Sequence, residues 1–151
     1  MRIVINKEKR RLCLLDGDTT LLCAPVALGR DPLGAKAREG DGKTPEGSYR
    51  ICLVKADGKY GRSLGLSYPN TEDARAGLAS GVIDEATYLA ILNAQTQRRR
   101  PPWGTALGGE IYIHEGGANS DWTEGCIALN PSDMDALYPL HKYVTDVEIL
   151  P

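Results

Sequence analysis

Ile111-Tyr112-Ile113-His114-Glu115-Gly116-Gly117-Ala118-Asn119-Ser120-Asp121-Trp122-Thr123-Glu124-Gly125-Cys126-Ile127-Ala128-Leu129 is the stretch that decides how this chain is read. It reads as a strand, a loop of small and polar residues, and a second strand. Alternation places Ile111 and Ile113 on one face and Tyr112 and His114 on the other. Beyond the loop, Ile127 and Leu129 anchor a strand in the core, which leaves Ala128 on the side of Cys126. The loop therefore joins an imidazole to a thiol. A neutral histidine can take the thiol proton, and the thiolate so formed is a strong nucleophile. Gly125 lets the backbone come close to a substrate carbonyl. A sharp turn there would aim the N–H groups of Gly125 and Cys126 at an oxyanion, worth roughly 3 kcal/mol per donor.

Other chemistries that use these residue types fail on spacing. His114-Glu115 opens like a zinc-protease helix, but Ala118 stands where the second histidine is required. No metal site is expected. Gly42-Lys43-Thr44 copies the end of a phosphate-binding loop, yet Ala37 replaces its first glycine and Pro45 leads into a strand. Four cysteines with no CxxC pair argue against a zinc site or a disulfide-dense scaffold. Cys13, Cys23 and Cys52 read as small core residues.

With 151 residues, 42% hydrophobic and 25% charged, the chain fits one domain over 1–151. Eighteen basic residues against 20 acidic ones leave a net charge of −2, which offers nothing to nucleic acid. A monomer without a membrane span is expected, because no apolar run approaches the roughly 20 residues that spanning needs. Met1 to Leu15 carries charges where a signal peptide needs an apolar core.

In chain order, Ile3-Val4-Ile5 and Arg11 to Leu15 read as strands, and Thr19 to Leu28 returns after Asp16-Gly17, with Pro25 suited to an edge. A two-residue turn on Asp16-Gly17 pairs Cys13 with Thr20, whereas a three-residue turn on Asp18 sets Cys13 opposite Cys23. Asp-Gly favours the tight turn, so free thiols are expected. Ser48 to Val54 is a strand, followed by a turn at Asp57-Gly58 and a strand through Leu64 and Leu66 that stops at Tyr68-Pro69-Asn70. A helical insert follows from about Thr71 to Arg100. Its first helix is capped by Asn70 or Thr71 and weakened at its end by Gly77; the second is capped by Asp84. Arg98, Arg99 and Arg100 close that helix, either as a solvated end or as charge brought over the site. Ser132 would cap a last helix before the strand Val144 to Leu150.

Thr123-Glu124-Gly125-Cys126-Ile127-Ala128-Leu129 resembles the Ser-x-Gly-Cys-x-Arg signature of the L,D-transpeptidase catalytic domain (the YkuD or ErfK family). His114 and Gly116 resemble its upstream histidine element. Lys43-Thr44-Pro45-Glu46-Gly47-Ser48-Tyr49 is similar to its Thr-Pro-x-Gly-x-aromatic segment, and Leu64 to Asn70 to its strand ending in Tyr-Pro-Asn.

The resemblance implies a mainly β, sandwich-like or barrel-like domain with peripheral helices, acting without a cofactor on peptidoglycan stem peptides and an amine acceptor in the cell envelope. Cys126 would attack the carbonyl of the third stem residue and release D-alanine, with His114 as base and the backbone carbonyl of Glu115 orienting it. Tyr112, Gly116, Trp122 and Thr123 are the candidate substrate-binding residues near the pair, with Arg98, Arg99 and Arg100 from the insert. Trp122 reads as a loop anchor or a substrate platform. Two departures stand out: Ala128 replaces the signature arginine, and the His-to-Cys loop is short. They keep open hydrolysis alone, as a carboxypeptidase or endopeptidase, and a non-catalytic wall-binding module.

Overall fold

A computed structural model describes residues 1–151. Nine strands form two sheets: β1 (Arg2–Asn6), β2 (Arg11–Asp16), β3 (Thr19–Pro25), β4 (Gly47–Tyr49), β5 (Ile51–Gly58), β6 (Gly61–Leu66), β7 (Tyr112–Glu115), β8 (Ile127–Leu129) and β9 (Asp146–Leu150). One sheet has the order β3-β2-β1-β9-β4 and the other β5-β6-β7-β8. The first and last strands, β1 and β9, pair in parallel, Ile3 beside Val147 and Ile5 beside Ile149. Alternation on each strand turns Ile3, Ile5, Leu12, Leu14, Val147 and Ile149 inward from the first sheet and Leu64, Leu66, Ile113, Ile127 and Leu129 from the second. Each such side chain, once buried, contributes roughly 1.5–3 kcal/mol. The expected mainly β domain with peripheral helices is what forms.

The segment expected as one strand, Ser48 to Val54, is two. Gly47–Tyr49 pairs with β9 in the first sheet, whereas Ile51 onward pairs with β6 in the second, so the chain changes sheets at Arg50. Strand β5 also runs through Asp57 to Gly58, which moves the turn to Lys59-Tyr60.

The hairpin register differs from expectation. Asp16 pairs with Thr19, which puts the turn at Gly17-Asp18, and a bulge then lets Leu21 fall out of the ladder, so that Leu14 meets Leu22 and Cys13 meets Cys23. Cys13 and Cys23 are joined in a disulfide, their Cα atoms 4.1 Å apart. The extra residue of a bulge shifts register in a way that the turn dipeptide cannot report. Both cysteines, like Cys52, are half-buried rather than in the core.

The insert forms α1 (Thr71–Ala79) and α2 (Glu85–Thr96). Asn70 caps α1 reciprocally with Asp73, and Asp84 accepts from Thr87 N–H. Ala74, Ile83, Ile91 and Leu107 make a small core separate from the main one. Gly77 serves that core: a Cβ there would sit 2.7 Å from Leu107. Gln95 ties α2 to the end of β6 through Ser67 O and Pro69 O. The helix α3 (Pro131–Leu137) starts earlier than expected, because Asn130 rather than Ser132 takes the cap and Pro131 the first position, where its missing N–H costs nothing.

Candidate active site

Strand β7 lies between β6 and β8, with His114 in register with Ser63 on one side and Ala128 on the other. His114 is buried, and its Nδ1 meets the backbone carbonyl oxygen of Glu115. A carbonyl can only accept, so Nδ1 carries the proton and the lone pair falls on Nε2. Tyr60 stacks on the ring at 4.8 Å, and Trp122 meets it edge-on at 5.6 Å. Burial lowers the imidazole pKa and outweighs the Glu115 bond, which acts the other way. His114 is therefore neutral at neutral pH. The Glu115 carboxylate takes no part in the cleft; it accepts from Arg62 Nε at 3.0 Å, Nη2 at 2.7 Å and backbone N–H at 2.6 Å. Arg62 reaches Asp135 as well, so β6, β7 and α3 are clamped together.

Cys126 Sγ donates to Glu110 O at 3.5 Å and accepts Tyr112 N–H at 3.3 Å. Burial pushes its pKa up to about 11, against the opposing effects of Tyr112 N–H and the Lys36 charge. No hydrogen bond joins His114 to Cys126, so the resting pair is a neutral thiol and a neutral imidazole facing one cleft. Glu110, whose carbonyl holds the thiol, has a φ of +54°, a left-handed conformation that costs a non-glycine residue about 1 kcal/mol or more.

Gly125 plays a different part from the one its position suggests. Its N–H donates to Thr123 Oγ1 at 3.1 Å, and Thr123 Oγ1 donates to Cys126 O at 2.7 Å, which closes the turn on itself. What comes close to Gly125 is the chain's own backbone: a Cβ there would sit 2.7 Å from Lys43 O, at a φ of +138°. The expected pair of outward donors is thus reduced to Cys126 N–H, which has no partner within the protein. Thr44, in the same packed loop, accepts Gly29 N–H, and Lys7 Nζ binds Gly34 O, Thr44 O and Glu46 Oε2.

The cleft over the pair has a volume of about 380 Å³. Tyr112, His114, Trp122, Thr123 and Cys126 line it, and Gly116 lies behind Trp122, where a Cβ would meet the indole at 2.7 Å. Trp122 is anchor and wall at once, since its Nε1 donates to Gly117 O while one face borders the cleft. Arg98, Arg99 and Arg100 are exposed and do not border it; the Arg100 guanidinium lies over Trp103. The insert therefore does not bring its arginines to the site. Residues absent from the sequence reading do line it: Lys36, Glu39, Lys55, Tyr60 and Ser63. Ser63 was within reach of β6 alternation, but nothing local marks the others. No three metal-ligating side chains converge anywhere in the chain.

A family model described as the L,D-transpeptidase catalytic domain matches residues 1–149. Among solved structures, the helical cell shape determining protein Pgp2 from Campylobacter jejuni, as its K307A mutant, superposes with a TM-score of 0.67 at 23% identity, covering 98% of this chain and 46% of that one. Bd1075 from Bdellovibrio bacteriovorus gives 0.57 at 21%, with 98% and 46% covered. An L,D-transpeptidase from Xylanimonas cellulosilytica gives 0.57 at 11%, with 98% and 59% covered. At these identities the likeness is one of fold, and the chain spans about half the length of these proteins. A search of curated protein sequences returns no match.

Proposed function

This chain belongs to the L,D-transpeptidase catalytic-domain family, and from that premise we propose that it is a cysteine acyltransferase acting on peptidoglycan stem peptides in the cell envelope, as a monomer. The observation that carries the reading is the cleft shared by Cys126 and a neutral His114 whose Nδ1 is committed to Glu115 O. As a donor peptide enters, the thiol leaves Glu110 O and gives its proton to Nε2 of His114 while Sγ attacks the carbonyl of the third stem residue. The oxyanion of the tetrahedral intermediate takes the N–H of Cys126. When the C–N bond breaks, His114 protonates the departing D-alanine amine and a thioester remains. An acceptor amine then attacks the thioester, loses a proton to His114, and regenerates the thiol. No step requires a cofactor.

Incubation with stem tetrapeptide and an amine acceptor should give cross-linked product and free D-alanine. Unchanged turnover in Cys126→Ala would sink the assignment. A second reading, hydrolysis by the same thioester route, is favoured by the short His-to-Cys loop, which is tied back through Asp121 to Arg10 and Leu28 N–H. Product masses separate the two: no cross-link at high acceptor concentration makes water the acceptor. A wall-binding module without activity would form no covalent adduct between Cys126 and a carbapenem.

A further inference from the structure

Lys36 presents an incomplete set of hydrogen bonds at the cleft. Its side chain is 3% exposed, and Nζ donates to a single acceptor, Asp41 Oδ1, at 2.9 Å. Asp41 is itself fully committed, accepting Ala37 N–H at 2.8 Å, Arg38 N–H at 3.1 Å and Lys43 N–H at 3.1 Å, so it fixes the ammonium in place. Burying an ammonium costs several kcal/mol, and one carboxylate leaves two of its three N–H groups unsatisfied. Lys36 borders the cleft alongside Cys126. The remaining donors are therefore available to an anion held beside the nucleophile.

The other charges in the cleft narrow the choice of anion. Opposite His114, the β8 position is Ala128, fully buried and without charge, so no cation comes from that strand. Lys55 and Lys59 are exposed and lie over the rings of Tyr112 and Tyr60. Glu39 and Glu110 share the wall with Lys36 but form no ion pair with it. They repel diffuse negative charge, so an anion is held there only when seated directly on Nζ. In a peptide cleaved next to its end, the anion nearest the reacting carbonyl is the carboxylate of the departing residue.

We propose that Lys36, positioned by Asp41, is the receptor for the C-terminal carboxylate of the donor peptide and restricts the site to terminal bonds. The identity of the peptide rests on the acyl-transfer reading above; the carboxylate site rests on the cleft alone. The test is binding to the Cys126→Ala protein by calorimetry, comparing the stem tetrapeptide with the same peptide carrying a C-terminal amide. The acid should bind about 10-fold or more tightly than the amide, as expected for a charge-assisted hydrogen bond. Adding Lys36→Met should abolish that preference, and Lys36→Arg should keep part of it. Lys36→Met/Asp41→Asn removes both charges and serves if the single variant unfolds. Equal affinity for acid and amide, no measurable binding of the acid, or a preference that survives Lys36→Met would each overturn the proposal. If the preference is found and the Cys126-containing protein turns over no tetrapeptide, the acyl-transfer reading falls while the Lys36 site stands.

Discussion

The two walls of the cleft are built by opposite means. On the His114 wall, a strand ladder sets the position of the imidazole, and Tyr60, Trp122 and the Glu115 carbonyl fix its ring. On the Lys36 wall there is no ladder; residues 30–46 run as irregular chain, held by two buried lysines, Lys7 and Lys36, on acceptors up to 39 residues away. The ladder is tolerant, because many backbone bonds share the load. The ion-held loop is brittle, because removing one partner strands another charge. The group proposed to move a proton thus sits on the regular part of the fold, and the group proposed to choose the substrate sits on the part where the loss of a single partner costs most.

The largest effect expected is on chemistry. His114→Gln removes the proposed base and should lower thioester formation about 10³-fold with little change in thermal midpoint, read by intact mass against time and by a melt. A large loss of stability instead would mean that the ladder depends on the ring.

Lys7→Met should do the reverse. It leaves Glu46 unpaired and two carbonyls without a donor, and should cost about 3 kcal/mol in denaturant unfolding. If the walls are independent, the pH dependence of alkylation at Cys126 in the folded variant will match the parent. That dependence is itself informative. With the thiol pKa near 11, alkylation by iodoacetamide should keep rising with pH well above neutrality. A reactive thiolate plateau in mild acid would instead reveal a preformed ion pair. Thioester formation, which on this reading needs His114 neutral, should rise with pH with its midpoint below the ordinary histidine pKa of 6.5, since burial has lowered the imidazole value.

Gly125→Ala tests the join between the walls, because its Cβ would press on Lys43 O at a positive φ. A loss of roughly 1–3 kcal/mol is expected, with activity falling in step as the Cys126 turn shifts. The last effect, which leaves the chemistry untouched, lies outside both walls. Asp73 is buried under Tyr49, and burial raises its pKa from 3.8 to about 6, only partly offset by the bonds from Asn70 N–H and Tyr49 Oη. A carboxyl with a raised folded pKa favours the native state fully below its unfolded value, and that contribution is lost as pH rises through the folded value. Native stability should thus decline by about 2 kcal/mol from this group between about pH 4 and pH 7. Asp73→Asn should flatten that part of the curve.

What the chain determined by itself was whatever depends on neighbours in sequence. Period-two alternation put Ile113 in the core and His114 on the other face, the Asn70 and Asp84 caps began two helices, and the turn signals bracketed a hairpin. The His114 and Cys126 candidates were legible for the same reason, since one short loop carries both. Tertiary structure decided the rest. A bulge at Leu21, which the Asp-Gly turn dipeptide does not report, joined Cys13 to Cys23; a crossing at Arg50 split one apparent strand between two sheets. The turn at Lys43 claimed the space that Gly125 leaves, and Thr123 took its N–H. Tyr60 and Lys36 reached the site by contacts between segments far apart in the chain, and the insert's arginines did not. Local spacing encodes backbone geometry because hydrogen bonds and alternation act over a few residues. Which loop closes over which strand is set by packing and buried charge across the whole fold, and no short pattern records it.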